Sequence, residues 1–216
     1  KRIGEICRER GVYFHTDAAQ GFGKLKIDVK KDNLDLISAS AHKINGPKGV
    51  GFLYVRNGVE IKPIIVGGGQ ERGLRSGTEN VSGIVGFAES VSVQKRVNME
   101  KIRKLRDKLI DELIKLGAKL NGSREKRIYN NLNISFDGIE ADSLVLFLSE
   151  KGIYCSTGSA CDERNKEDKR VLRGIGVNER GIRGAIRMTL GDEITEKDVD
   201  YVIKEIKKAI DRLSIR

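Results

Sequence analysis

The chain has 216 residues, of which 38% are hydrophobic, and this length and apolar fraction suit a folded protein and exclude the disordered and fibrous classes. The formal net charge of +10 lies largely on segments where Lys alternates with Glu, such as 100–106 and 197–208. That pattern is typical of solvated helix faces and argues against a nucleic-acid partner. The longest apolar runs, 50–55 and 61–66, are too short to span a bilayer, so we expect no membrane association and a cytoplasmic location.

The first 95 residues predict a sheet-rich region. Residues 3–10 have a helical pattern that Gly11 ends. Four short strands are predicted after it, at 12–15, 34–38, 50–55 and 61–66, and the last two have β-branched and aromatic character. Residues 67–77 are too rich in glycine for a stable helix and predict a polar loop.

The remainder of the chain predicts alternating helices and strands. Apolar residues recur at helical spacing from 81 to about 116, which predicts one long helix or two in series. We place a domain boundary near residue 95, where the composition turns charged, giving domains 1–95 and 96–216. Further elements are predicted as a strand at 132–136, a helix at 141–150, strands at 153–155 and 185–190, and a final helix. Thr195 caps that helix, with Asp198 as an acidic variant of the capping box.

A carboxylate and an amide follow the first predicted strand, in the run HTDAAQ at 15–20. Asp17 and Gln20 therefore lie at the carboxyl end of a strand, where open α/β sheets bind their ligands. The alternative is that Asp17 only caps the turn that follows. The two residues form a first candidate site.

A second polar group, SAHK at 40–43, follows the next predicted strand. A partly desolvated lysine loses its proton readily, so Lys43 is a candidate for an imine bond with an aldehyde. Taken alone, Lys43 has the alternative of an ordinary surface lysine. A pyridoxal phosphate (PLP) site needs an acid beside the pyridinium nitrogen, a lysine, and hydroxyl or imidazole donors for the phosphate. These roles match Asp17, Lys43, and Ser40 with His42, so the sequence predicts PLP as the cofactor.

The third candidate is Cys161, in the loop of small residues STGSAC at 156–161. A thiol reacts as its thiolate, and an exposed cysteine is partly ionised near neutrality, so Cys161 is a candidate nucleophile. The alternatives are an ordinary surface cysteine, or a disulfide or metal pair with Cys155. Their spacing lacks the compact pairs of zinc sites, so we expect no metal. Cys7 is predicted to pack as a small apolar residue, and three cysteines fit a reducing compartment.

The fourth candidate is Arg187, on the otherwise apolar strand predicted at 185–190. A guanidinium group matches a carboxylate with two parallel hydrogen bonds, so an inward-facing arginine here suits an amino-acid substrate. The alternative is simple alternation on a half-exposed strand.

Five motifs in this order resemble the cysteine desulfurases of PLP fold type I, within the class-V aminotransferase superfamily. They are HTDAAQ at 15–20, SAHK at 40–43, GGGQERGLRSGT at 67–78, SAC at 159–161 and Arg187. The resemblance covers essentially the whole chain. It implies an α/β fold made of the C-terminal part of the large PLP-binding domain, with a mixed, mostly parallel sheet, and a smaller α+β C-terminal domain.

The resemblance also implies roles for the cofactor residues. Asp17 pairs with the pyridine nitrogen and Gln20 with the ring hydroxyl, while Ser40 and His42 bind the phosphate. Lys43 forms the imine bond with PLP. Thr78 reaches the phosphate of the other subunit's cofactor, which implies a homodimer.

The implied substrate is L-cysteine, whose carboxylate Arg187 binds. Cys161 attacks the substrate sulfur, which leaves a persulfide and releases alanine. The cysteine loop resembles the long form found in members that pass sulfur to an iron–sulfur scaffold protein, although another sulfur acceptor is an alternative. Asp162 and Glu163 follow the cysteine where the family has Thr and Ser, and their charge disfavours the thiolate.

Several alternatives stay open. The family's N-terminal half, with its cofactor-stacking histidine and main phosphate loop, has no counterpart in these residues, so we expect another segment or polypeptide to complete the site. The same cofactor residues also suit selenocysteine lyase or sulfinate-specific chemistry. Two non-enzymatic alternatives are a module that docks scaffold proteins and a basic RNA-binding module.

Overall fold

The computed structural model describes residues 1–157 and 170–214, and it divides the chain into two units, Lys1–Val97 and Asn98–Arg216. Within these described ranges, no helix combines the length and the apolar character needed to cross a membrane. The α/β class with a mixed sheet is confirmed.

The first unit contains two α-helices and three strands. They are α1 (Arg2–Glu9), β1 (His15–Asp17), β2 (Leu36–Ser40), β3 (Gly51–Val55) and α2 (Val81–Gln94). Short 3-10 helices cover Ala41–Ile44 and Gln70–Gly73. The central strand β2 pairs parallel with β1 and antiparallel with β3. The carboxyl ends of β1 and β2 therefore meet at one edge of the sheet.

One face of this sheet is buried. Ile37 and Ala39 of β2 are buried, whereas their neighbours along the strand are only half-buried, as the period-two alternation of a strand requires. Three aromatic rings pack beside this face, with centroids 4.9 to 5.9 Å apart, from Phe22, Phe52 and Phe87. The other face of β2 carries Ser38 and Ser40, with Leu36 at its start.

The second unit contains five helices and three strands in its described residues. They are α3 (Met99–Lys115), β4 (Ala118–Leu120), β5 (Asn131–Phe136), α4 (Ala141–Ser149), α5 (Arg170–Gly174), α6 (Glu179–Arg183), β6 (Ala185–Thr189) and α7 (Glu196–Leu213). The sheet is antiparallel in the order β4-β5-β6. Helices α3 and α4 each pack against α7, and both also contact the sheet. The predicted capping box is confirmed, because the backbone N–H of Thr195 donates to Asp198 Oδ2 over 2.8 Å.

The predicted helical region splits into α2 and α3, which confirms the alternative of two helices in series. Asparagine caps both helices. Asn80 Oδ1 accepts from the Gly83 N–H over 3.0 Å, and Asn98 Oδ1 accepts from the Lys101 N–H over 3.0 Å. The Asn98 cap explains why the helical pattern is interrupted between α2 and α3, because a capping residue has non-helical dihedral angles.

Two predicted strands are wrong. Residues 61–66 are irregular, and Ile64 is 95% exposed. Pro63 lies within this run and has no backbone N–H to donate, so β-branched composition there does not produce a strand. Residues 153–155 also form no strand. The Ile153 N–H instead donates back to Leu148 O over 3.0 Å, which ties the segment to the end of α4.

Two other strands are displaced along the chain. Pairing covers His15–Asp17 rather than 12–15, and Leu36–Ser40 rather than 34–38. The Val12 N–H donates to Cys7 O over 2.9 Å, which extends the end of α1 into the predicted strand. Both strands therefore end later than predicted.

Candidate active site

The first candidate residue, Asp17, is the last residue of β1. It lies opposite Ser38 of β2 in the parallel register. Asp17 Oδ1 accepts from the Ala19 N–H over 2.8 Å and closes a side-chain turn. The capping role considered from the sequence is thus real. The side chain is also exposed at the carboxyl edge of the sheet, so capping and ligand binding are compatible.

The turn after β1 presents Gln20 and a lysine that the sequence analysis missed. Backbone N–H groups of Phe22 and Leu25 donate to Ala18 O and Gly21 O over 2.7 and 2.9 Å, so the turn is helix-like. Residues four apart share one side of such a turn. Accordingly, Lys24 Nζ donates to Gln20 Oε1 over 3.3 Å. The spacing of four residues was the available signal for Lys24.

Lys43 lies in the short 3-10 helix that directly follows β2. The backbone there is fixed, because the Ala41 N–H donates to Val50 O over 3.1 Å and the Gly46 N–H donates to Ala41 O over 2.9 Å. Ala41 and Ile44 are buried, whereas Lys43 is half-buried. The lysine therefore lies on an anchored segment at the same edge as Asp17.

The turn that carries Lys24 approaches the 3-10 helix that carries Lys43, because a Cβ added at Gly23 would lie 3.1 Å from Ile44 Cγ2. Burial lowers the pKa of Lys24 from its ordinary value, and the positive charge of Lys43 lowers it further. A like charge nearby disfavours the charged form of an amine, so it lowers the pKa in the same direction as burial does. The carboxylate of Asp17, the amide of Gln20 and the amines of Lys24 and Lys43 thus belong to neighbouring segments at one sheet edge.

The exposed face of β1 and β2 carries further polar groups. His15 Nε2 and Ser38 Oγ are 3.2 Å apart, within hydrogen-bonding distance. Strand alternation puts His15 on the same face as Asp17, and Ser38 on the same face as Ser40. Ser40 is half-buried and His42 is exposed. The sequence motifs did not single out His15 and Ser38, although the period-two alternation of a strand could have placed them on the same face as Asp17 and Ser40.

Thr78 lies in the glycine-rich segment of the first unit. It is exposed and lines a groove of about 770 Å³, together with Arg75 and Phe52. The segment is held by its own hydrogen bonds, since the buried Ser76 Oγ donates to Gly68 O over 2.7 Å. Thr78 is therefore accessible in this chain.

Arg187 lies in the second unit, in the middle of β6, and is half-buried. Asn133 of β5 is its partner in the antiparallel register. Ser156 bonds the Arg187 backbone in both directions, with N–H to O distances of 3.1 and 2.7 Å. Among residues 1–157 and 170–214, no carboxylate forms an ion pair with the Arg187 guanidinium. A half-buried, unpaired cation is suited to bind an anionic group.

The face of the second sheet around Arg187 is polar. Asn121 Nδ2 donates to Asn133 Oδ1 and to Ser135 Oγ, both over 2.7 Å. This network fixes the amide of Asn133 beside Arg187. Sequence reasoning missed Asn133, although it alternates with the buried Leu132 and Ile134.

Cys161, with Asp162 and Glu163, lies outside the described residues, so its predicted role has no structural account. Cys155 is a half-buried free thiol. Burial raises the pKa of the Cys155 thiol to about 11. It is therefore a thiol rather than a thiolate at neutral pH, which makes it a poor nucleophile. Cys7 on α1 is also half-buried and free.

The residues at the edge of the first sheet fit a PLP group chemically. An aldehyde requires an amine, a pyridinium nitrogen requires an acid, a ring hydroxyl requires a donor, and a phosphate requires hydroxyl or imidazole donors. These groups occur on Lys43, Asp17, Gln20, and Ser40 with His42, all on the carboxyl-terminal part or exposed face of β1 and β2 or the segments that follow.

Comparisons with known proteins agree with this chemistry. The family described as Aminotransferase class-V matches residues 1–202. A protein named cysteine desulfurase IscS from Methanosarcina thermophila is 47% identical over 217 residues, covering 99% of this chain and 54% of the relative. The chain thus spans about half the length of the curated relatives it matches.

Two solved structures of similar proteins also resemble this chain in fold. A structure titled as a NifS-like protein has a TM-score of 0.87 and 40% identity, covering 98% of this chain and 57% of that one. A structure titled as SspA in complex with cysteine has a TM-score of 0.69 and 36% identity, covering 87% of this chain and 53% of that one.

Proposed function

This chain belongs to the aminotransferase class-V family, and we propose that it works as a PLP-dependent cysteine desulfurase. The observation that carries the proposal is the set of cofactor-type groups at the carboxyl edge of β1 and β2, which includes Lys43. Members of this family use PLP. Relatives named cysteine desulfurase at 47% identity support the specific activity.

The proposed cofactor residues are those at this edge. Asp17 would hold the proton on the pyridine nitrogen, Gln20 would donate to the ring hydroxyl, and Ser40 with His42 would bind the phosphate. Lys43 Nζ would form the covalent bond with the cofactor aldehyde. When bound, PLP supplies an electron sink that stabilises negative charge on the substrate. The protein contributes the orientation and the charges around it.

The proposed substrate is L-cysteine, bound by Arg187 through its carboxylate. The half-buried guanidinium, which no carboxylate of the described residues pairs with, supports this role, and SspA has been solved in complex with cysteine. Cys161 Sγ, as a thiolate, would form a bond with the substrate sulfur while the substrate C–S bond breaks. The electron pair of that bond returns to carbon, which takes a proton and leaves as alanine. Cys155 is unsuited to this role because burial keeps it protonated.

We further propose that residues 1–95 and 96–216 are two domains, the first holding the cofactor and the second holding Arg187 and Cys161. The proposed assembly is a homodimer in which Thr78 reaches the other copy's cofactor. Exposed apolar residues near Thr78 support a protein contact, and Ile64, Val66 and Val81 are 95%, 76% and 65% exposed. The sulfur would pass to an iron–sulfur scaffold protein or another acceptor.

The cofactor proposal is tested by titrating PLP into the complete gene product and recording the visible absorption band. Lys43→Ala should abolish the band of the bound cofactor, because Lys43 Nζ is the proposed nitrogen of the imine bond. Lys48→Ala is the matched control, since Lys48 is an exposed lysine five residues further along. A band of equal strength in Lys43→Ala would contradict the proposal.

The sulfur-transfer proposal is tested by measuring alanine formed from L-cysteine. Cys161→Ala should lower the rate by at least about 10³-fold, as removing an enzyme's nucleophile does. Cys155→Ala should leave it near the wild-type rate. Turnover of cysteine retained in Cys161→Ala would contradict the proposal, and selective turnover of selenocysteine would favour a selenocysteine lyase.

A further inference from the structure

Lys24 is a lysine near the candidate site that the proposed reaction does not use. It lies in the helix-like turn after β1 and is half-buried. The turn packs against the segment that carries Lys43. At Gly23, whose φ is +74°, an added Cβ would lie 3.1 Å from Ile44 Cγ2 and 3.1 Å from Gln94 Cγ. The backbone of the turn thus packs beside the 3-10 helix that carries Lys43.

The contact between Lys24 and Gln20 determines the orientation of an amide. An ammonium group has only donors, so the Gln20 atom that faces Lys24 Nζ across 3.3 Å is the oxygen Oε1. The NH₂ group of Gln20 then points away from Lys24. An amide without such a partner can turn by 180° and exchange its oxygen and nitrogen.

We propose that Lys24 is a positioning residue, which fixes the Gln20 amide so that its NH₂ group faces the ring hydroxyl of the cofactor. This inference rests on the proposed function, because it requires a ring hydroxyl at Gln20. That hydroxyl, when ionised, needs a donor and is repelled by an amide oxygen. Burial and the nearby charge of Lys43, which lower the pKa of Lys24, are further signs that Lys24 belongs to the site.

The expected effect is moderate. The Lys24 contact is long for a hydrogen bond, and it acts on the cofactor only through Gln20. Loss of one such oriented hydrogen bond weakens binding by about 3- to 10-fold. Lys24→Met keeps most of the apolar stem and removes the donor. Lys24→Arg keeps a donor and a charge and should restore the wild-type value.

The experiment measures the dissociation constant of PLP and the wavelength of its visible band in the complete gene product. Lys26→Met is the matched control, because Lys26 is exposed two residues away. Circular dichroism checks that each variant is folded. A double-mutant cycle with Gln20→Ala tests the route of the effect. If Lys24 acts through Gln20, Lys24→Met should change the dissociation constant by less than about twofold in the Gln20→Ala background.

The outcomes separate this inference from the proposed function. Weaker PLP binding and a displaced band in Lys24→Met, restored in Lys24→Arg and absent in the Gln20→Ala background, would support the positioning role. Binding equal to Lys26→Met, or an effect that persists without Gln20, would overturn the positioning role while the cofactor proposal stands. A wild-type protein with no PLP band would overturn both.

Discussion

The two sheets of this protein are buried to different depths. Among the described residues, the largest fully buried side chains all lie in the second unit, and they include Ile134, Leu144 and Ile186. The first unit buries smaller clusters, such as Ala41 with Ile44 and Phe87. One face of its sheet instead exposes polar groups. The residues that fit a cofactor thus occur on the less buried sheet, whereas Arg187 lies on a sheet backed by helices.

This difference separates positions that stabilise the fold from positions that bind ligands. A sheet face covered by helices gains stability from apolar burial, and it cannot also receive a polar ligand. In the second unit the polar side of β5 and β6 carries Arg187 and Asn133, while Ile134 and Ile186 are buried on the other side. Alternation along β5 and β6 therefore provides apolar burial on one side and polar groups for a ligand on the other.

The largest expected effect is a loss of stability when a buried apolar side chain of the second unit is shortened. Leu144→Ala should lower the free energy of unfolding by about 2 to 5 kcal/mol, because the side chain on α4 is fully buried. Leu146→Ala, on the same helix but 65% exposed, should cost less than about 0.5 kcal/mol. Urea denaturation followed by circular dichroism measures both. An equal loss of unfolding free energy in the two variants would mean that burial of Leu144 does not stabilise the second unit.

A smaller effect is expected at the polar face. Arg187→Ala should lower kcat/KM for L-cysteine by about 100- to 1000-fold, as the loss of one partner of a charge pair does. PLP affinity should stay unchanged, because the proposed cofactor residues lie in the first unit. Arg183→Ala, an exposed arginine on α6, is the control. A loss of PLP binding in Arg187→Ala would break the proposed division between the two sheets.

The smallest effect concerns Cys155. Because burial raises the pKa of its thiol to about 11, its thiolate fraction at pH 8 is small. Alkylation of Cys155 by iodoacetamide should therefore be about 100-fold slower than that of a free cysteine at pH 8. The rate should rise about tenfold per pH unit below the pKa. Peptide mapping by mass spectrometry gives the rate, and rapid alkylation at pH 7 would show that Cys155 is not buried as described.

The sequence predicted the elements with strong periodicity and missed those set by tertiary contacts. Two helices in series and the capping box at Thr195 follow from local pattern. The strand predicted at 61–66 failed because β-branched residues need a paired neighbour, and Pro63 removes a donor. Strand β4 was missed because its three residues carry too little pattern.

The candidate site was predictable where chemistry follows a strand end, and unpredictable where it depends on packing. Asp17 and Lys43 stand at the ends of β1 and β2, and motif order identified both. Lys24 entered the site only because its turn packs beside Ile44, a contact distant in sequence. Asn133 required the register of β5 against β6, which no single motif encodes.

The central claim is that Lys43 carries the cofactor. The most direct measurement is to reduce the PLP-treated gene product with borohydride, which fixes any imine bond, and then to map the modified peptide by mass spectrometry. The account predicts the modification on Lys43, with none on the neighbouring Lys24 or on the exposed Lys48. A modification on Lys24 in place of Lys43, or on no lysine at this edge, would contradict it.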